Sequence, residues 1–264
     1  KARTRFIHEV KTLKRLASPH IVQLLHVSET QENCYLVMEP MKRGALADYL
    51  TSHPLPLVRR YQLAMDILLG VSYLHSQQMG HRHITPRTIL VAKEGTAKLA
   101  NFCFSKTLEQ SMVSAHELSN EGLVYVAPEI ILEKKPASRM NQEDYIKADI
   151  YSVGVVLWEL LTGLSYFDGI SLQDLVAKLN AQEHCPMSPL LPEPYRQLIQ
   201  SCLNYDSTKR PTAAQVIRAL KEAKGLLLEQ TASANTFYAQ GLQKEQAQDL
   251  EGARFNYQVA AYYG

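Results

Sequence analysis

Apolar residues recur at helical spacing in two stretches of the chain. The first stretch predicts an amphipathic helix over residues 3–17, whose apolar positions are Phe6, Val10, Leu13 and Leu16. The second predicts a long helix over residues 59–76, with one face formed by Leu63, Ile67, Val71 and Leu74. A shorter helix is expected between Gly44 and Ser52, and nearly the whole chain beyond Ala148 follows a helical pattern.

Short apolar runs interrupt the helical stretches. They predict strands over residues 21–27, 34–38, 89–91 and 97–100, and the last two are joined by a turn at Glu94 and Gly95. Residues 104–124 are polar and lack periodicity, which is typical of a mobile loop. The strands are therefore expected as two pairs set among many helices.

The composition narrows the classes of function. The chain has 264 residues, 46% of them hydrophobic and 20% charged, which is enough to bury a large core in one or two domains. A formal net charge of +2 without long runs of one sign does not favour nucleic acid as a partner. The apolar stretch over residues 148–164 carries Asp149 and Glu159 and is too short to span a bilayer. We expect a buried helix there and no membrane span.

Four cysteines are scattered without the spacing of a metal site, at Cys34, Cys103, Cys185 and Cys202. This pattern is typical of reduced, packed thiols, so we expect a cytoplasmic protein. The chain begins at Lys1 inside an amphipathic pattern, without a methionine, a signal peptide or a targeting segment. It is therefore expected to be a piece of a longer protein.

The C-terminal residues 231–264 differ in composition from the rest of the chain. Small and aromatic residues alternate over two short helical patterns, at Ala234, Tyr238, Gly241, Ala253, Tyr257, Ala260, Ala261 and Gly264. The mixture resembles one helical hairpin of the Sel1-like or tetratricopeptide kind. The alternative is a helical extension that packs on the main domain.

The run from His81 to Leu90 reads His-Arg-His-Ile-Thr-Pro-Arg-Thr-Ile-Leu. It resembles the catalytic loop of protein kinases, which usually has His-Arg-Asp and then an Asn five positions after the Asp. Other motifs of that family occur in the family's order on both sides of this run. Before it stand Glu9 in a helix and a strand and hinge at 35–41, and after it come Asn101-Phe102-Cys103, Ala127-Pro128-Glu129, Asp149 and Arg210. Residues 1–222 are therefore similar to a eukaryotic protein kinase from its αC helix to the end of the C-lobe.

This resemblance implies an α+β, protein kinase-like fold. Residues 1–41 would form part of the N-lobe, with the αC helix, strands four and five and the hinge. Residues 42–224 would form the helical C-lobe, and residues 231–264 the separate hairpin. Neither the glycine-rich loop nor the lysine of strand three is in this chain.

Six residues have structural roles by resemblance, namely Glu9, His81, Phe102, Glu129, Asp149 and Arg210. Glu9 corresponds to the glutamate that pairs with the lysine of strand three, and its alternative is a solvated helix residue. His81 is expected to pack beneath Phe102. Glu129 and Arg210 are expected to form a buried ion pair, because either charge would be costly to bury alone. Asp149 is expected to accept hydrogen bonds from backbone N–H groups near Arg82, with helix N-capping as the alternative.

Four positions lack the groups that serve phosphoryl transfer in the family. His83 replaces the aspartate that accepts the proton of the substrate, Thr85 a phosphate-binding lysine, and Thr88 a metal-binding asparagine. Asn101 replaces the metal-binding aspartate before Phe102, and its amide oxygen is a poor substitute for a carboxylate on Mg²⁺. We predict no intact catalytic residue and no metal site.

The resemblance also implies contacts to a nucleotide. The hinge backbone at Glu39 and Met41, together with the side chain of Leu90, would face an adenine, and Met38 would be the gatekeeper. These contacts allow ATP binding, whereas the four replaced positions do not favour Mg²⁺.

The architecture residues are retained while the chemistry residues are replaced, which predicts a pseudokinase. Such a domain would act as a scaffold or allosteric regulator through protein partners, with surfaces on the C-lobe helices, the 104–124 segment or the C-terminal hairpin. Two alternatives remain. One is a residual kinase of the Ser/Thr type, a type that Pro86 favours. The other is a sensor that binds ATP without transferring phosphate.

Overall fold

The computed structural model describes residues 2–30, 34–52, 55–102, 120–132, 139–164, 171–183, 185, 187 and 191–263. The predicted loop at 104–124 lies outside the described residues up to residue 119, and Cys103 does as well. Within the described part, the architecture is a small N-terminal layer of one helix and two strands above a larger helical body.

The N-terminal layer contains helix α1 (Ala2–Leu13) and strands β1 (Leu24–Glu29) and β2 (Cys34–Met38). The two strands pair antiparallel, with Glu29 opposite Cys34 and an irregularity between Leu24 and His26. Backbone bonds also join this layer to the body, because Val22 donates its N–H to the carbonyl oxygen of Leu99 at 3.0 Å.

Helices α2 (Leu46–Ser52) and α3 (Leu57–Ser76) open the helical body. Strands β3 (Ile89–Val91) and β4 (Ala97–Leu99) then form an antiparallel hairpin, with Leu90 opposite Lys98. The open end of this hairpin connects on one side to the loop at 81–88 and on the other to Asn101, so the topology brings those two segments together.

Helices α4 (Asn120–Leu123) and α5 (Pro128–Ile131) precede the central helix α6 (Gln142–Thr162). Asn141 and Asp144 form a reciprocal capping box at the start of α6, and Gly163 ends the helix in the left-handed conformation. Every residue of α6 from Ala148 to Thr162 is buried, which confirms the buried helix predicted from the sequence.

Helices α7 (Leu172–Asn180), α8 (Glu193–Cys202) and α9 (Ala213–Glu222) complete the body, with a single 3₁₀ turn at Ser207–Lys209. Helix α10 (Lys224–Gln246) follows α9 after one residue, and α11 (Leu250–Tyr263) folds back along α10. One continuous apolar core runs from α1 through α3 and α6 to α9.

The structure differs from the sequence predictions at several element ends. Helix α1 ends at Leu13 instead of residue 17, and β1 begins at Leu24 instead of residue 21. Residues 120–123 are helical, although the sequence pattern there suggested a loop. The first helix of the C-terminal hairpin begins at Lys224 and has no break near residue 231. It packs on α3 and α9. Whether the hairpin is a repeat unit stays a prediction.

Among the described residues, none of the helices combines the length and the apolarity needed to cross a membrane.

Candidate functional site

The loop at 81–88 is held from below by one buried carboxylate. Asp149 lies in α6 and is only 1% exposed. Its Oδ2 accepts the backbone N–H of His81 at 2.7 Å, and its Oδ1 accepts that of Arg82 at 2.7 Å. His75, at the end of α3, places its Nε2 3.1 Å from Oδ2. The contact expected from the sequence is therefore present. The alternative that Asp149 caps a helix is wrong, since Asn141 occupies the N-cap of α6.

The two backbone bonds impose an unusual backbone conformation on Arg82, whose φ is +68°. A non-glycine residue adopts this left-handed region only when its surroundings stabilise it. The guanidinium of Arg82 lies over the ring of Tyr145, 3.4 Å from the ring centroid. Burial lowers the pKa of this guanidinium, against opposing interactions with Tyr145 and Asp149.

His81 is fully buried as a neutral ring with both nitrogens engaged. Its Nε2 lies 3.0 Å from the carbonyl oxygen of Ala100 and must donate to it, and its Nδ1 accepts the backbone N–H of His83 at 3.3 Å. The ring is 4.9 Å from that of Phe102, so the two pack as expected from the sequence. Burial lowers the pKa of His81, although the charge of Asp149 opposes this shift. His81 thus joins the loop to the segment that follows β4.

His83 stands where the family has a catalytic aspartate, and it is half-buried. Burial, and secondly the proximity of His81, lowers the pKa of His83 to about 4. The imidazole is therefore uncharged at neutral pH. It does not provide the fixed negative charge that would orient a hydroxyl group or balance a metal ion.

Thr85 and Thr88 form a hydroxyl clasp within the loop, and both are buried. The hydroxyl of Thr88 lies 2.6 Å from the carbonyl oxygen of His83, to which it donates, and accepts the backbone N–H of Thr85 at 3.0 Å. The hydroxyl of Thr85 accepts the N–H groups of Arg87 and Thr88 at 3.2 and 3.3 Å. Both side chains thus serve the shape of the loop.

Asn101 reaches the same cleft from β4. The N–H of Ala100 donates to the carbonyl oxygen of Thr88 at 2.9 Å, which fixes Asn101 beside the loop. Asn101 is exposed and has a φ of +64°, a conformation that asparagine tolerates better than most residues. The structure therefore places Asn101 beside the loop that contains His83 and Thr88, and the region around these three residues is called the cleft below.

Glu9 of α1 accepts the backbone N–H of Phe102 at 3.1 Å, and Phe102 itself is fully buried. The alternative of a solvated helix residue is therefore wrong for Glu9. Burial raises the pKa of its carboxyl group, and the hydrogen bond from Phe102 opposes this shift. The α1 helix is thus tied to the backbone next to Asn101.

The hinge is held by an ion pair that the sequence analysis did not predict. Lys98 on β4 donates to both carboxylate oxygens of Glu39, at 2.8 and 2.7 Å. The same carboxylate accepts the N–H of Gln23 at 2.8 Å. The carbonyl oxygen of Met41 accepts the N–H of Gly44, while Leu90 is half-buried opposite Lys98. Of the three proposed adenine contacts, Glu39 therefore belongs to this ion pair and Leu90 lies opposite its lysine.

Glu129 and Arg210 form the ion pair expected from the sequence. Two parallel hydrogen bonds of 2.7 Å join the guanidinium to the carboxylate, and Arg210 is 1% exposed. Arg210 also donates to the carbonyl oxygens of Asn204 and Lys147 at 2.8 and 3.1 Å. This bidentate arrangement joins α5 to the turn before α9.

Sequence reasoning missed a second polar link beneath the cleft. The hydroxyl of Tyr125 donates to Glu159 at 2.8 Å, and Ser152 donates to the carbonyl oxygen of Tyr125 at 2.6 Å. The signal in the sequence was Glu159 itself, a carboxylate inside an apolar helix that has to find a donor.

The side chains of the cleft do not fit a magnesium ion. Mg²⁺ prefers carboxylate oxygens together with phosphate, whereas the cleft offers the neutral amide of Asn101 and the hydroxyl of Thr88. That hydroxyl already donates to His83 and accepts from Thr85. The described residues include no group of three or more His, Cys, Asp or Glu side chains arranged for a metal ion.

Comparison with known proteins agrees with this architecture. Residues 1–220 match the sequence model of the protein tyrosine and serine/threonine kinase family. The chain is 30% identical over 220 residues to tyrosine-protein kinase Abl of Drosophila melanogaster, covering 82% of this chain and 13% of that protein. It is 33% identical over 227 residues to serine/threonine/tyrosine-protein kinase HT1 of Arabidopsis thaliana, covering 84% and 55%.

A third relative is tyrosine-protein kinase FRK of Homo sapiens, 26% identical over 214 residues, with 78% of this chain and 41% of that protein covered. The chain thus spans 13%, 55% and 41% of the lengths of these three relatives, in the order given.

Proposed function

The chain belongs to the protein tyrosine and serine/threonine kinase family, and from this premise we propose that it is a pseudokinase, a kinase-like domain that transfers no phosphate and acts through protein partners. The observation that carries the proposal is the hydroxyl clasp of Thr85 and Thr88. At position 88, where the family has a metal-binding asparagine, the side-chain hydroxyl of Thr88 is committed to the loop backbone.

The electrostatic cost supports the same conclusion. A single preorganised group in an active site contributes about 10²–10³-fold to the rate. The loop lacks the aspartate, the lysine and the asparagine of the family, and Asn101 supplies no negative charge. The pKa of about 4 for His83 also leaves this ring uncharged at neutral pH. These missing groups would all stabilise the same transition state. A residual Ser/Thr kinase would therefore need other residues of the full-length protein to replace them.

A radiometric assay tests this proposal on the full-length protein with Mg²⁺ or Mn²⁺ and a generic protein substrate. We expect no transfer above that of an Asn101→Ala variant, because Asn101 is the nearest remaining metal ligand. Transfer by the wild type that disappears in the Asn101→Ala variant would contradict the proposal. Asn204→Ala, which lies before α9 and outside the loop at 81–88, controls for any general effect of an Asn→Ala substitution.

We expect the partner to be a protein and to bind the helical body or the C-terminal hairpin. Three side chains of the hairpin support this expectation, since Tyr238, Leu242 and Leu250 are between 41% and 69% exposed. Tyr238 and Leu242 lie on α10, which packs on α3 and α9, and Leu250 begins α11, which packs along α10. A cytoplasmic location is proposed with it, in keeping with the free, buried thiols of Cys185 and Cys202.

A second candidate function is an ATP sensor, and the Glu39–Lys98 ion pair favours it. This pair fixes the hinge backbone next to Leu90, where an adenine would bind. Thermal unfolding of the full-length protein with ATP, with and without Mg²⁺, distinguishes the two. A sensor would be stabilised by ATP without Mg²⁺, and a Lys98→Met variant would lose the shift. If ATP does not change the unfolding temperature in either condition, the scaffold role is the one supported.

A further inference from the structure

The turn between β3 and β4 lies at the opposite end of that hairpin from the cleft. Residues 92–96 form it, with Gly95 at a φ of +97° and its N–H bonded to the carbonyl oxygen of Ala92 at 2.9 Å. The segment before α2 runs beside it, because Arg43 donates its N–H to Val91 at 3.1 Å and Gly44 accepts that of Val91 at 2.8 Å. Two arginines reach this turn from different elements.

Arg43 is held by three contacts around its guanidinium. Its Nε donates to the carbonyl oxygen of Lys93 at 2.9 Å, its Nη1 to the hydroxyl of Tyr49 at 2.5 Å, and its Cζ is 5.3 Å from the centre of the Tyr49 ring. Arg43 is nevertheless exposed to solvent. The side chain therefore has little conformational freedom to lose when it binds a ligand.

Arg59, in the first turn of α3, is held in a similar way. Its Nη2 donates to the carbonyl oxygen of Gly95, and its Nη1 donates to Gln62 at 2.8 Å. Glycine is favoured at position 95 by its φ of +97°, which other residues rarely adopt. A Cβ built there would lie 2.9 Å from Cζ of Arg59 and 3.6 Å from Nη1 of Arg43. Both distances are measured from the same Cβ position on Gly95, so the two guanidinium groups are close neighbours.

Two nearby acids, Glu94 and Asp66, offset the positive charge of this pair only in part. Glu94 is exposed in the turn, and Asp66 interacts electrostatically with Arg59. The carboxylate of Asp66, however, accepts the N–H of Ala97 at 3.0 Å and lies 3.6 Å from His20. The first turn of α3 contains no acidic residue. Lys42 and Lys93 are exposed beside Arg43 and add positive charge.

We propose that Arg43 and Arg59 form a binding site for an oxyanion, a carboxylate or a phosphate, on an acidic segment of a protein partner. A guanidinium has five N–H donors, and the contacts of the described residues use only some of them. The remaining donors of two fixed guanidinium groups suit the two or three oxygens of such an anion. The inference rests on the proposed role as a protein-binding domain, but it does not depend on the absence of phosphate transfer.

Fluorescence anisotropy with labelled peptides tests the site on the whole chain. One probe is a decapeptide rich in glutamate, a second carries phosphoserine in a neutral sequence, and a lysine-rich peptide is the negative control. The double variant Arg43→Gln/Arg59→Gln is expected to weaken binding of an acidic peptide by about tenfold, which is the loss of two charge-assisted contacts. Raising NaCl from about 50 to about 200 mM should weaken the wild type more than this variant.

A matched control removes two positive charges elsewhere. Arg218→Gln/Lys221→Gln changes two exposed residues of α9 and is expected to alter the affinity by less than about twofold. A gain-of-function variant covers the case in which the double variant is destabilised. Glu94→Gln removes the acid of the turn without touching either arginine, and it is expected to tighten binding by about two- to threefold.

The result decides between the classes of ligand. Binding of the glutamate peptide or of the phosphopeptide more tightly than of the lysine-rich peptide supports the site. Whichever of the two binds more tightly identifies the oxyanion as a carboxylate or a phosphate. Three outcomes would each overturn the proposal. The first is an equal loss of peptide affinity in the double variant and in its α9 control, the second is no binding of either peptide, and the third is binding only to phosphatidylserine vesicles. A positive phosphate-transfer assay would overturn the pseudokinase proposal alone and leave this site standing.

Discussion

At the scale of single residues, Asp149 holds the start of the loop from outside it. Both of its oxygens accept backbone N–H groups, and Arg82 keeps a left-handed conformation as a result. This role could be predicted from the sequence, because a carboxylate inside an apolar helix has to find donors. The same reasoning predicted the pairing of Glu129 with Arg210. It did not find Lys98 and Glu39, since half-exposed charges leave no such constraint on a sequence.

Replacing Asp149 with asparagine should therefore destabilise the fold. The side-chain amide of the asparagine would place an N–H group against the backbone N–H of His81 or of Arg82. It would also remove the buried negative charge that accepts hydrogen bonds from both. We expect the free energy of unfolding to fall by about 3 kcal/mol, measured by urea denaturation. The same substitution at the exposed Asp174 should cost less than about 1 kcal/mol. Equal effects at the two positions would show that the loop does not depend on Asp149.

His83 gives a pH dependence of stability whose sign follows from its pKa. Folding lowers the pKa from 6.5 to about 4, so the unfolded chain binds a proton first as the pH falls. The stability present above pH 6.5 is then lost between about pH 6.5 and 4. After allowance for partial exposure, we expect a loss of about 2 kcal/mol that is absent in a His83→Asn variant.

Urea denaturation at a series of pH values measures this loss. His26→Asn is the matched control, because His26 is exposed on β1 and its removal should leave the slope unchanged. If the His83→Asn variant kept the pH dependence of the wild type, folding would not lower the pKa of His83, against the role assigned to it here.

At the scale of elements, local patterns predicted some boundaries exactly and missed others for physical reasons. The strands at 34–38 and 89–91 and the end of α3 at Ser76 were predicted correctly. Helix α4 was missed because Leu123 is buried against Leu175 and Leu179 of α7, a contact distant in sequence. The start of α10 was missed because only Ala223 separates it from α9 and the helix continues through Gly225.

The packing of α6 against α8 provides a test at this scale. A Cβ on Gly154 of α6 would lie 2.8 Å from Cβ of Cys202 and 3.0 Å from Cδ2 of Leu203. Gly154→Ala should therefore cost about 1–3 kcal/mol of stability in spite of the better helix propensity of alanine. The Cβ of Cys202 is bonded directly to the backbone of α8 and cannot move aside easily.

Gly225 of α10 is the matched control for this substitution. A Cβ there would meet nothing within 4 Å, so Gly225→Ala should stabilise the protein by about 0.5–1 kcal/mol. Thermal or urea unfolding of the two variants measures both effects. Opposite signs support the close approach of α6 and α8, whereas stabilisation by both variants would contradict it.

At the scale of the whole molecule, the polar groups divide into two sets. Asp149, Glu129, Arg210 and Glu9 join elements to one another through buried or half-buried hydrogen bonds. The groups of the cleft, His83, Thr88 and Asn101, carry no charge suited to a metal-bound phosphate. The first set explains why a kinase-like frame persists, and the second explains why we propose a function in binding. The family and the fold could be predicted from motifs in the sequence, but the commitment of Thr88 to the loop backbone required the structure.

The most direct test of this account is electron paramagnetic resonance of Mn²⁺ with ATP and the full-length protein. Mn²⁺ takes oxygen ligands as Mg²⁺ does, and a protein-bound ion has a spectrum distinct from that of Mn·ATP in solution. We predict that the wild type gives the same spectrum as its Asn101→Ala variant, and that Thr88→Asn/Asn101→Asp creates a bound signal. A bound signal in the wild type that disappears in the Asn101→Ala variant would contradict the account.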